Sequence, residues 1–260
     1  MGGKGVKMAY DLQKASMWKR ISAFLFDVII LVTVAIGLAI GVSSVIRYDD
    51  TMHEYYSIEE KHLNNIEKEF GISFDDKEID KEILEQATEE LNKRRGEDQL
   101  LSNTFSLMIN KILVIVSVSL LLAFLILEFA IPLFFGHGRT LGKKIFGIAI
   151  MQINGVRLKS ISLFIRSILG KYTVETMIPV FVAITFLFGS GGIIGVIVAL
   201  AILIVQVGML IATKTNSALH DGLASTVVVD YATQMIFATE AELVEYQRQR
   251  AAKLAEERRD

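Results

Sequence analysis

The 260-residue chain has no cysteine. That excludes disulfides, a lipid-modified thiol and any thiolate metal site. Proline is nearly missing as well, with two residues, so long helical runs meet few enforced breaks. Histidine is scarce: His53 and His62 sit among acids, but their spacing fits no metal motif. No nucleophile elbow or zincin pattern is present, and GHGRTLGKK (Gly136–Lys144) lacks both the P-loop spacing and a Ser or Thr after Lys144. The expectation is a protein that is not an enzyme, with no cofactor, no metal and no nucleic-acid partner. The leader MGGKGV has valine where the myristoylation pattern needs Ser or Thr. No A-x-A site follows the first apolar block, which reads as an uncleaved anchor.

What the chain has in quantity is apolar sequence. Hydrophobic residues make up 52%, mean hydropathy is +0.45, and the apolar positions fall in blocks. Ile21–Ile46, Ile112–Phe135 and Ile193–Ala212 each supply the ~20 residues that cross ~30 Å of hydrocarbon. Val174–Phe188 reaches that length only with Tyr172, Thr173 and Gly189 added. The expected fold is an all-α membrane protein, a four-helix transmembrane bundle in contact with the lipid bilayer.

Charge orients the spans. Residues 47–106 carry 17 acids and 8 bases, whereas 136–171 carry seven bases and no acid. Short basic loops stay in the cytoplasm, so both termini are expected inside and the acidic segment outside. Six parts follow: an N-terminus with span 1 (1–46), an acidic extracytoplasmic helical insertion (47–106), span 2 (107–135), a basic loop (136–171), spans 3 and 4 (172–212) and a strand with a tail helix (213–260).

Within the insertion, Ile79, Ile83, Leu84, Ala87 and Leu91 line one helical face, and Ile58, Leu63, Ile66 and Phe70 form a second stripe. In the basic loop, Asn154-Gly155 predicts a hairpin with strands 147–153 and 156–160, and Thr226–Tyr231 is β-prone enough to add a third strand. An amphipathic helix is predicted over Ile161–Leu169, lying at the inner headgroup surface. GHGRTLGKK reads as a basic loop meeting anionic lipid headgroups. Thr239 and Glu242 make a capping box that opens a mostly polar, solvated tail helix running to about Arg259.

Four polar residues interrupt the spans: Asp27, Glu128, Glu175 and Gln206. Counted from the cytoplasmic ends at 1.5 Å per residue, all lie roughly 6–12 Å deep. Ionised groups at such depth face the protein interior and pair with one another or with water. Two facing carboxylates need a counter-charge, supplied by a proton, a cation or a basic side chain. Arg20 shares a helical face with Asp27 but lies ~10 Å along the axis, so Arg166, His220 or Lys143 are better partners. His220 beside Asp221 is a further titratable pair. A buried ion pair that fixes helix register leaves the same pattern as an ion-handling site.

Four stretches in order resemble the RDD family of bacterial membrane proteins, named for one arginine and two aspartates. They are RISAFLFD (Arg20–Asp27), GRTLGKKIFG (Gly138–Gly147), NGVRLKS through Arg166, and LHDGLASTVVV (Leu219–Val229). The resemblance makes Arg20, Asp27 and Asp221 the name-giving residues, and it implies transport, with cation/proton antiport suggested for some members. The acidic insertion and the tail beyond Ala232 depart from that pattern. Expected partners are protons and monovalent cations and a homodimer or a membrane-protein partner; Gly37-Leu-Ala-Ile-Gly41 and Gly191-Gly-Ile-Ile-Gly195 suit helix packing within one subunit or across a dimer. The alternative is a non-transporting scaffold or accessory protein whose acidic helices or tail bind a partner.

Overall fold

A computed structural model describes residues 12–76, 78–188 and 192–257, with Leu254 by its backbone only. The leader MGGKGV, Gly189 of the third apolar block, Gly191 of the second small-residue pattern and the tail end at Arg259 lie outside these residues. Four helices are long and apolar enough to span a bilayer: α1 (Met17–Val45), α4 (Gln99–Phe135), α6 (Ser160–Leu187) and α7 (Ile193–Ala212). Two more helices, α2 (Tyr48–Phe70) and α3 (Lys81–Glu97), stand between the first two spans. The remaining elements are short: α5 (Leu141–Ile145), β1 (Ile148–Gln152), α8 (Leu219–Leu223) and β2 (Thr226–Asp230), followed by the tail helix α9 (Glu240–Glu256). The chain is an all-α membrane protein with a small sheet.

It divides into two compact units, Gly37–Ser119 and the remainder. In the first, Gly71 in the left-handed region (φ 64°) ends α2, and the Asp80 carboxylate accepts the Glu82 N–H to start α3. Ile66, Ala87 and Leu91 form the buried contact, with Leu63 and Phe70 packed on it. Ile83 and Leu84, expected on the same face, are exposed. Arg95–Glu59 and Arg94–Glu69, both at 2.7 Å, and His62–Asp98 at 2.8 Å tie the unit together.

In the second unit β1 pairs antiparallel with β2, Ile148 opposite Asp230 and Gln152 opposite Thr226. Lys14 bridges to Val229 on the free edge of β2. Both faces of the sheet are covered. Ala149, Met151, Val227 and Val229 pack with Phe237 and Leu243, while Ile148, Ile150 and Val228 pack with Ala15 and Ala23. The alternation follows the two-residue period of strands.

Three sequence expectations are corrected here. The Asn-Gly turn forms, with the Gln152 carbonyl accepting from the Gly155 N–H at 2.9 Å, but Gly155 alone has positive φ (90°). Its second strand shrinks to a Met151–Arg157 bridge, because Val156 pairs with Phe237 and the neighbour of β1 is β2. Second, Ile161–Leu169 is no separate surface helix: it is the start of α6, with Arg166 buried in protein. The third span was too short from Val174 because the helix continues through Arg166 and Lys171, whose charges are paired internally. Third, the tail helix is not solvated all round, since Leu243 and Tyr246 pack onto the sheet.

Candidate functional site

Backbone chemistry shapes the polar residues of α4 and α6. The chain's two prolines, Pro132 and Pro179, each stand four residues after a glutamate, Glu128 and Glu175. Proline has no N–H to give the carbonyl four residues back. Around each, the helix widens to i→i−5 bonding, over Leu125–Ala130 and Ile165–Met177. The Glu128 carbonyl, deprived of its helical donor, accepts from the Ser167 hydroxyl at 2.7 Å instead.

Asp27 points from α1 at the start of α5. Its Oδ1 accepts the Gly142 N–H at 2.7 Å, and its Oδ2 accepts the Thr140 hydroxyl. Lys143 Nζ lies 3.6 Å from Asp27 Oδ2 and 3.8 Å from Glu128 Oε2, and donates to Thr140 Oγ1 at 3.0 Å. Glu128 is also held by Lys171 at 2.7 Å. The carboxylates of two spans therefore share one ammonium. Beside them lies a small pocket lined by Asp27, Ile30, Leu31, Leu127, Glu128 and Leu141. Burial lowers the Lys143 pKa to about 8; the Glu128 and Asp27 charges oppose that fall and Lys171 and Arg166 add to it.

A second cluster adjoins. Asp221, 1% exposed, pairs with Arg166 and lies 3.6 Å from Arg20 Nη2. Its Oδ2 accepts the Ala218 N–H at 3.1 Å and its Oδ1 the Thr226 hydroxyl at 3.3 Å. Glu175 accepts both the His220 N–H at 2.9 Å and His220 Nδ1 at 2.8 Å. Burial first, then the charges of Arg166, Lys171, Lys143 and Arg20, push the His220 pKa well below its ordinary value. The imidazole is therefore neutral at pH 7, with its proton on Nδ1 toward Glu175. Gln206 Oε1 accepts the Leu219 N–H at 2.9 Å.

Of the three candidate partners for Asp27, the structure places Lys143 there; Arg166 is committed to Asp221 and His220 to Glu175. The expected single layer resolves into two linked clusters. Counted together, Asp27, Glu128, Glu175 and Asp221 are four acids against Arg20, Lys143, Arg166 and Lys171.

A family model described as the RDD family matches residues 14–225. The chain belongs to the RDD family. No curated protein and no solved structure matches it. The matched region of this RDD-family member contains the charged residues of both clusters and ends just before Thr226, the first residue of β2.

Thr140, Gly142, Ser167, Lys171 and Thr226 were not among the residues the sequence singled out. The glutamate-to-proline spacing on two apolar blocks was the available signal for Ser167, since a freed carbonyl needs a donor. Gly142 shows its reason only in space. A Cβ there would run into the Ala23 carbonyl oxygen and lie 2.9 Å from Asp27 Oδ1. Gly142→Ala is expected to cost ~1–3 kcal/mol through overpacking. Gly41→Ala, with nothing within 4 Å, is expected to be neutral or to gain up to ~1 kcal/mol from helix propensity. Melting curves of the two variants check the contrast, and equal midpoints would remove the close-approach role of Gly142.

Proposed function

We propose that this RDD-family membrane protein exchanges monovalent cations for protons, with Asp27 and Glu128 as carboxylate ligands and Lys143 as a tethered cation. The reading rests on one observation: the Lys143 ammonium stands between carboxylates from two spans, 3.6 and 3.8 Å away. While protonated it and Lys171 together balance the two carboxylates. Once its proton leaves, the carboxylates hold an uncompensated charge that draws in a cation through the adjoining pocket. Arg20, Arg166, Asp221, Glu175, Gln206 and His220 hold the neighbouring helix ends in place. The basic, acid-free stretch 136–171 supports a cytoplasmic location for this side and for both termini, in a bacterial cell membrane. The protein acts as a transporter and not as an enzyme.

The test is ΔpH collapse in proteoliposomes after a sodium or potassium pulse. Wild-type protein is expected to dissipate the gradient faster as pH rises through about 8, because Lys143 is deprotonated above that value. Asp27→Asn and Lys143→Met are expected to slow exchange by about a hundredfold or more, since each removes an obligatory charge. Full exchange by either folded variant would defeat the assignment.

A second reading is favoured by the charge balance. Four acids matched by four bases describe a register-fixing scaffold equally well, with the acidic insertion or the tail binding a partner. In that case wild-type protein carries no flux, the same variants lose only thermal stability, and deleting residues 50–98 abolishes co-purification of the partner.

A further inference from the structure

We propose that the loop following α4 binds a phosphate group, with Arg139 and Arg157 beside His137 and Lys144 over Phe135 as the cations that receive it. This site uses other side chains of the stretch that brings Thr140, Gly142 and Lys143 to Asp27, and it stands whether or not the protein transports ions.

The loop is held in one shape. Gly136, His137 and Gly138 all have positive φ, at 71°, 52° and 62°, a sequence of left-handed residues that glycine adopts freely and histidine less so. The His137 carbonyl accepts the Ile150 N–H of β1 at 2.9 Å. Gly138 is packed so closely that an added Cβ would lie 2.6 Å from Leu158 Cδ2.

Three cations border this frame, and none of them has an ion-pair partner among the described residues. The Arg139 guanidinium lies 4.1 Å over the Tyr231 ring, and its Nη2 donates to the Phe135 carbonyl at 3.3 Å. Its Nε is buried with no hydrogen-bond partner among the described residues. Lys144 Nζ stands 3.9 Å over the Phe135 ring. Arg157 Nη2 lies 3.7 Å from where a Gly136 Cβ would be. Asp230, next to Tyr231 in the chain, is engaged by Lys19 at 2.5 Å. Burial and the charges of Arg157 and Arg139 lower the pKa of His137, which marks the loop as a site of positive field. A buried donor left without an acceptor calls for an explanation. An anion held by forked guanidinium groups supplies one, and phosphate oxygens fit that fork.

The position favours a lipid phosphate. Phe134 is 90% exposed; Leu133 before it in the chain and Ile145 at the end of α5 are exposed to a lesser degree. A span end with bare apolar side chains next to a cationic loop matches an acyl chain below a headgroup.

The experiment uses full-length protein in detergent and reads retained ligand and melting midpoint with phosphatidylglycerol, phosphatidylcholine or inorganic phosphate. Arg157→Gln, at an exposed position, leaves the fold intact; Arg139→Gln/Arg157→Gln removes two forks; Arg248→Gln/Arg250→Gln on α9 is the charge-matched control. Wild type and control are expected to hold phosphatidylglycerol in preference to phosphatidylcholine. Each arginine removed should weaken that binding by about tenfold, the worth of one charge-assisted hydrogen bond. Inorganic phosphate that displaces phosphatidylglycerol and protects alone to the same degree would keep the site and assign it to a soluble phosphate. Equal binding of phosphatidylglycerol by the cluster variants and the control would overturn the proposal.

Discussion

Asp221→Ala is expected to destabilise the folded protein by ~3–5 kcal/mol, the cost of leaving a buried charge without its partner. The carboxylate pairs with Arg166 and Arg20 and accepts from the Ala218 N–H and the Thr226 hydroxyl. Its removal leaves two guanidinium groups facing each other in a site 1% exposed. In detergent the melting midpoint should fall on the order of 10 °C. Asp221→Asn keeps an acceptor for the Ala218 N–H and should fall less. A midpoint for Asp221→Ala within about 2 °C of wild type would mean that neither arginine depends on this carboxylate.

Glu128→Ala should be nearly as severe, at ~3–5 kcal/mol, because it strands Lys171 and removes one of the two anions facing Lys143. The pair has a built-in check. Adding Lys171→Met to Glu128→Ala deletes the stranded ammonium, so the double variant should recover at least ~1 kcal/mol relative to the single one. Glu128→Ala also takes away the larger of the two attractions that raise the pKa of Lys143. Its proton should then leave at lower pH, and in flux measurements the rise in exchange should begin below pH 8. An unshifted profile would separate Lys143 from the titrating step.

Much of this architecture was legible because it rests on local chemistry. Block length gave four spans, and the Thr239–Glu242 capping box opens α9 as read. Depth along each span placed Asp27 and Glu128 at one level, and in space they share Lys143. What stayed hidden depends on distant neighbours. Nothing local says that Asp27 is met by Thr140 and Gly142, 113 and 115 residues away. The start of α6 was misjudged because a charge normally marks the edge of a span, and here Arg166 and Lys171 have buried acids to answer them. The Asn-Gly turn predicted its own return strand, but β2 completes the sheet.

The widened turns in α4 and α6 carry a mechanical consequence. A helix bonded i→i−5 contains surplus chain relative to an α-helix of the same height, and that surplus can move along the axis like a dislocation in a crystal. Each one-residue step would swivel the intervening side chains by ~100° about the helix axis while the ends stay anchored. Glu128 rides on one such segment, and Arg166, Lys171 and Glu175 ride on the other. Two neighbouring rods can thereby re-aim their charged groups without sliding or tilting.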